Sequence, residues 1–200
     1  MLDRQFFFDR VRPTLFDGKL RRPQVDGLSG LLDGWERDYA HRDLRWLAYA
    51  LATAHHETGR AMQPIREQGG EAYLRRMYDI EGERPDLARR MGNTAPGDGV
   101  RYAGRGFVQL TWKSNYAAMT GPTCVDLVAF PDRALDMPVA AEILFTGMIR
   151  GMFTGHKLAD YFSGRRADWT GARRIVNGTD RASTIATYGR LYRAALREDA

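Results

Sequence analysis

The segment DLRWLAYALATAHHETG, Asp43 to Gly59, constrains the fold more than any other part of the chain. Its apolar residues surround a helical axis almost completely, and a helix that is hydrophobic all round is a buried one. Asp43 fits an N-cap and Gly59 a helix stop, so this segment reads as the central helix of the core. Two further stretches carry apolar residues at helical spacing. Residues 4–17 place Phe7, Phe8, Val11, Leu15 and Phe16 together, and Gln24 to Tyr39 do the same with Val25, Leu28, Leu31, Leu32 and Trp35. PVAAEILFTGMIRGMF reads as a second buried helix with Pro138 in its first turn. SNYAAMTG reads as a short helix, ADWTGARRIVNG closes on an Asn-Gly stop, and a last helix runs from about Ser183 to Leu196.

Between these elements, Gly69 to Gly99 is polar, rich in Arg and Glu, and ends in GNTAPGDG. It is expected to be a short helix followed by loop, and the place for a small mobile lobe at about 68–100. The expected architecture is mainly α with one or two short strands, arranged as a single domain over 1–200.

Composition narrows the functional classes. A hydrophobic fraction of 44% supports a real core, and no run of about 18 apolar residues exists to span a membrane. The opening MLDRQFFFDRVRP lacks the apolar stretch and cleavage site of a signal peptide. Cys124 is the single cysteine, which rules out an internal disulfide. The net charge of +5 favours an anionic partner such as nucleic acid, a membrane surface or cell wall. The arginines are scattered rather than massed, which argues against nucleic acid.

Two stretches carry chemistry. In HHETG, Arg60 stands where a zinc helix needs its second histidine, and His55 and His56 point about 100° apart on a helix, so no metal is expected. The histidines are read as packing residues. Glu57 shares a face with Ala50 and Thr53, small and nearly uncharged, at the negative end of the helix dipole. Both effects favour the protonated carboxyl that a general acid requires, with Arg60 and Arg66 as groups able to oppose them. Glu67 and Glu71 come next, and two carboxylates flanking one bond are the usual machinery of glycoside hydrolysis. In YAGRGFVQLTW, Gly104 and Gly106 permit close approaches, while the phosphate-loop patterns are absent. From Phe107 to Trp112 the residues alternate as in a strand. Phe107, Gln109 and Thr111 fall on one face, and Val108, Leu110 and Trp112 on the other. That places an amide and a hydroxyl about 7 Å apart, able to line a cleft or a solvated edge. Arg105 can brace a nearby carboxylate.

HETG, then Glu67, then GRGFVQLTWKSNY, then ARRIVNG, in this order and spacing, resemble the family 19 glycoside hydrolases. TAHHETGRAMQPIRE and YAGRGFVQLTW are most similar to the phage and prophage endolysin variety, over about Phe6 to Leu196. The resemblance implies a lysozyme-like α-helical fold with a short β element, an inverting mechanism and no cofactor. It implies Glu57 as general acid, Glu67 as the base activating water, and Thr111 as the hydroxyl that holds this water. Glu71 stands as an alternative to Glu67. Gln109, Asn115, Asn177 and Tyr102 are implied at the sugar, with Arg105, Gly104 and Gly106 structural. The lack of disulfides favours the bacterial or phage branch over plant chitinases.

The expected function is therefore a monomeric peptidoglycan hydrolase cutting β-1,4 bonds. It would accumulate in a host cytoplasm and reach the wall through a holin lesion. Chitin as substrate, a lytic transglycosylase, and a non-catalytic module binding wall or nucleic acid are the alternatives. An inverting pair would hold its carboxyls about 6.5–9.5 Å apart.

Overall fold

The computed structural model describes residues 1–197 and is mainly helical, with only two-residue strands. The chain forms two compact units, Met1–Gln63 with the chain from Leu144 onward, and Pro64–Ile143. The segment at 68–100 lies wholly within the second of these.

The first unit is built on three N-terminal helices, α1 (Arg4–Leu15), α2 (Arg22–Asp38) and α3 (Leu44–Glu57). α3 is the segment expected to be the core helix, and every residue from Leu47 to His55 is buried. Its start is fixed as the sequence predicts, since Asp43 accepts a hydrogen bond from the Arg45 amide. Its end comes at Thr58 and Gly59, the latter at φ +55°. Gly27 on α2 permits a backbone contact, because a Cβ there would lie 1.6 Å from the Met62 carbonyl oxygen. The helix expected near the C-terminus spans Ala182–Ala195 and packs along α3. It buries Ile185, Ala186, Gly189 and Tyr192, a spacing of three and four that gives it one apolar face. Gly189 is needed for that packing, since a Cβ would come within 2.7 Å of the Trp169 ring.

The second unit begins with β1 (Ile65–Arg66), paired antiparallel with β2 (Arg105–Gly106). Between them lie α4 (Gly70–Tyr78), α5 (Pro85–Arg90) and α6 (Asp98–Arg101), where the sequence led to one short helix and a loop. Buried polar side chains organise the connections in place of apolar periodicity. Asn93 donates to the Tyr78 carbonyl and accepts from the Lys113 amide, and Asp79 accepts from the Gly97 and Gly99 amides. After β2 come α7 (Lys113–Thr123) and a 3-10 turn at Pro131–Leu135. α8 (Met137–Arg150) is the second buried helix and contributes residues to both units. The remaining elements belong to the first unit: α9 (Leu158–Tyr161), the β3–β4 hairpin (Phe162–Ser163 with Arg166–Ala167), a 3-10 turn at Gly171–Ile175, and α10, the Ala182–Ala195 helix.

The strand expected over 107–112 is not formed. The chain instead turns back on itself, with Arg105 and Leu110 exchanging both backbone hydrogen bonds at 3.1 and 2.8 Å. Gln109 (φ +52°) and Trp112 (φ +76°) take positive φ values that a regular strand does not contain. The alternation is one of composition only. Phe107, assigned to the polar face, is fully buried. Among the described residues no helix is long and apolar enough to cross a membrane.

Candidate active site

Glu57 is the last residue of α3, as its place before Thr58 and Gly59 requires. Its side chain is 20% exposed, and Oε1 accepts a hydrogen bond of 2.6 Å from Arg173 Nη1. Arg173 itself is buried, and its Nε donates to the Asp180 carbonyl. The two arginines nearest Glu57 in the sequence motif are engaged elsewhere, Arg60 with Asp17 and Arg66 with Asp132. Asn177, exposed just past the 3-10 turn at Gly171–Ile175, is tied to the same group, since its amide donates to the Arg173 carbonyl at 3.0 Å. The first unit thus links Glu57, Arg173 and Asn177.

His55, two residues before Glu57, behaves as a packing residue. It is buried, bonds the Tyr192 hydroxyl at 2.9 Å and packs at a tilt against the rings of Phe16 and Tyr188. Burial, then Arg60 and His56, push its pKa down to about 4. No group of three or more metal-ligating side chains occurs among the described residues.

In the second unit Glu67 continues the pairing of β1 with β2, its amide donating to the Gly104 carbonyl at 2.8 Å. Both carboxylate oxygens are held. Oε2 accepts from the Gly104 amide at 3.0 Å and Oε1 from the Tyr78 hydroxyl at 2.7 Å. The hydroxyl of Tyr78 has its pKa raised by burial and then by Glu67, so it stays a donor. Gly104 explains the opening glycine of the Gly-Arg-Gly motif, since a Cβ there would lie 2.9 Å from both Glu67 Oε2 and Gln109 Oε1. Glu71, the alternative base, is exposed in the first turn of α4 and paired with Arg75.

The turn brings its polar groups to the same place. Gln109 Nε2 donates to the carbonyls of Ile65 and Gly106, Thr111 Oγ1 donates to the Gln109 carbonyl at 2.8 Å, and Asn115 Nδ2 donates to the Thr111 carbonyl at 2.8 Å. Glu67, Gly104, Gln109, Thr111 and Asn115 therefore form one connected cluster. Arg105 lies beneath it, 2% exposed, bonded to Asp132 Oδ1 at 2.8 Å, to the Ala103 carbonyl and to the Tyr116 hydroxyl. Gly106 sits with its α-carbon facing the Ala134 carbonyl. Tyr102, expected at the sugar, is instead 2% exposed with its hydroxyl donated to the Val128 carbonyl, because the turn folds it into the core.

No family model matches the chain, and no curated protein matches it by sequence. Solved structures do match. Chitinase C from Streptomyces griseus HUT6037 superposes over 96% of this chain and 90% of its own, with a TM-score of 0.56 at 17% identity. A bacterial family 19 chitinase covers 94% and 93%, with a TM-score of 0.54 at 19% identity. A mutant of chitinase C covers 94% and 90%, with a TM-score of 0.52 at 18% identity. The fold is that of the family 19 chitinases.

Within this family 19 fold, two residues of the clusters escaped sequence reasoning. Arg173 stands beside Arg174 in ARRIVNG, and nothing in the string tells which is buried; the 3-10 turn decides it, leaving Arg174 exposed. Tyr78 ends α4, 11 positions after Glu67, and reads in sequence as one more apolar residue of an amphipathic helix.

Proposed function

We propose that the protein is a glycoside hydrolase that cleaves β-1,4 bonds in the glycan strand of peptidoglycan by direct displacement. The observation that supports this most is the Glu67 carboxylate, held by the Gly104 amide and the Tyr78 hydroxyl in a chain with the family 19 fold. Thr111 has already donated its proton to the Gln109 carbonyl, so its oxygen can only accept. A water held there gives one hydrogen to Thr111 and the other to Glu67. Its lone pair is then left to attack the anomeric carbon as Glu67 takes up the proton. Glu57 supplies a proton to the departing glycosidic oxygen, and the Arg173 guanidinium stabilises the carboxylate that remains. Gln109, Asn115 and Asn177 offer amides to sugar hydroxyls and acetamido groups. The residues need no cofactor for these steps.

In the endolysin reading the enzyme reaches the wall with the help of a membrane-lesioning holin, and acts as a monomer on a polymer whose negative charge suits the chain's +5. Chitin is the second reading, favoured because the matching structures are chitinases. Both polymers contain β-1,4-linked N-acetylglucosamine, alternating with the muramic sugar in peptidoglycan, so the clusters alone serve either.

Product analysis tests the proposal. Purified peptidoglycan and chitin oligosaccharides should each be offered, with the new reducing end and its anomeric form read directly. Inverted reducing sugars from peptidoglycan are the expected result, and anhydro-sugars would point to a lytic transglycosylase instead. Glu57→Gln and Glu67→Gln should each lower kcat by about 10²–10⁴-fold with the fold intact. Retention of lytic activity by Glu57→Gln would overturn the assignment.

A further inference from the structure

The second unit carries a cavity of about 480 Å³ that the proposed chemistry does not use. Its wall is formed by Arg66, Arg101, Arg105, Phe130, Asp132 and Arg133, with smaller residues between. This size falls in the usual range for small-ligand sites. Strand alternation separates it from the Glu67 cluster. Arg66 turns to Asp132 in the cavity wall, while the next residue, Glu67, turns to Gly104 and Tyr78 on the other face of the strand.

Two features of the wall call for a ligand. Phe130 is 64% exposed and, apart from the terminal Met1, is the large hydrophobic side chain left open to solvent among the described residues. The wall is also electropositive. Four arginines and one carboxylate, Asp132, line the wall; Arg66 and Arg105 share that carboxylate, and Arg133 pairs with Asp136 outside the wall. Arg101 has no carboxylate partner among the described residues. Its Nη2 donates to the Val128 and Ala129 carbonyls, which fixes the exposed guanidinium beside Phe130. A fixed cation next to an open aromatic ring suits a ligand with an apolar face and a negative charge close together.

We propose that this cavity is a second saccharide-binding site, in which the Phe130 ring takes the apolar face of a sugar and Arg101 takes a carboxylate carried by the same strand. The ligand class is a carboxylate-bearing glycan, and in the proposed substrate the carboxylate is that of the acidic peptide, since the lactyl carboxyl of the muramic sugar is bound as the amide that carries this peptide. The site rests on the peptidoglycan reading and deepens it, because neutral chitin has no carboxylate to offer. It would hold the enzyme on the insoluble polymer while the Glu57 and Glu67 clusters act on the chain.

The test separates binding from turnover. Sedimentation with purified peptidoglycan sacculi is measured for the Glu57→Gln protein alone and with Phe130→Ala or Arg101→Gln added. Each added substitution should weaken binding at least fivefold. In the otherwise native enzyme, the same two substitutions should leave turnover of short chitin oligosaccharides within twofold. Phe130→Ala removes an exposed ring, so its thermal midpoint should match that of the parent and guard against a folding artefact. Amidase treatment removes the peptide and leaves a freed lactyl carboxylate in its place: lost dependence on Arg101 assigns the peptide carboxylate, and retained dependence shows that the site also takes the sugar's own carboxylate once it is free. Binding unchanged in both variants, or no binding of sacculi by the parent, overturns the site. Binding of sacculi through Phe130 and Arg101 by the Glu57→Gln protein, together with no glycan turnover by the native enzyme, upholds the site and defeats the hydrolase reading.

Discussion

A carboxylate serves a single role in a reaction only if its rotation is fixed, and the two candidate carboxylates are fixed by different means. Glu57 has an ion pair to one buried guanidinium. Glu67 has two hydrogen bonds from neutral donors, one of them the hydroxyl of Tyr78. Replacing Tyr78 by Phe removes that donor and little else, since the ring keeps its edge contact with Trp112 at 5.0 Å. A hydrogen bond to a charged group contributes about 1.5–3 kcal/mol, so Tyr78→Phe should lower kcat roughly 10- to 100-fold. As a positioning residue it should leave KM within twofold, which steady-state kinetics on a chitin oligosaccharide would read. An equal rise in KM would instead mean that Tyr78 contacts the sugar. Neither Tyr78 nor Arg173 is visible as a partner in the string, because their roles come from contacts between segments that no local pattern encodes. Glu57, by contrast, is legible as the charged end of an otherwise apolar helix.

Helices with a continuous apolar pattern are readable as elements, and short ones held by polar side chains are not. α3 needs only its composition, the Asp43 cap and the Gly59 stop. The turn after β2 reads as a strand because alternation of apolar and polar residues is also what a tight reversal with a buried Phe107 produces. Its backbone marks are at Gly106 and Gln109, and only the first is signalled by residue type. That distinction has a measurable consequence. Gly106 has φ +84°, and a Cβ would approach the Ala134 carbonyl to 3.2 Å. Gly106→Ala should therefore destabilise the protein by about 1–3 kcal/mol. For a chain of this size that is a fall of roughly 2–12 °C in the thermal midpoint. Calorimetry of the purified variant checks it, and an unchanged midpoint would show that the turn relaxes freely.

At the scale of the molecule, fold class is legible because two helices apolar on nearly all sides, α3 and α8, demand partners around them, and an all-helical chain supplies these most simply. The same burial makes stability depend on pH through His55. Its pKa falls from 6.5 to about 4 in the folded protein, first by burial and then by Arg60 and His56. The unfolded chain takes its proton near 6.5 and the folded chain only near 4, so the full contribution is present above 6.5 and is lost as pH falls toward 4. Within that window stability should drop by on the order of 1.4 kcal/mol per pH unit. Urea unfolding from about pH 7 to about pH 5 should show this slope in the parent and a shallower one in His55→Gln. Equal slopes in the two proteins would assign the loss to other groups. The backbone contact at Gly27 carries a different lesson. No side chain fits against the Met62 carbonyl, so α2 and the chain that leaves α3 meet without any adjustable layer between them. A saturation screen for lost lysis should thus return position 27 as intolerant to every replacement, and a reader of that map would mistake a seam of bare peptide for part of the chemistry.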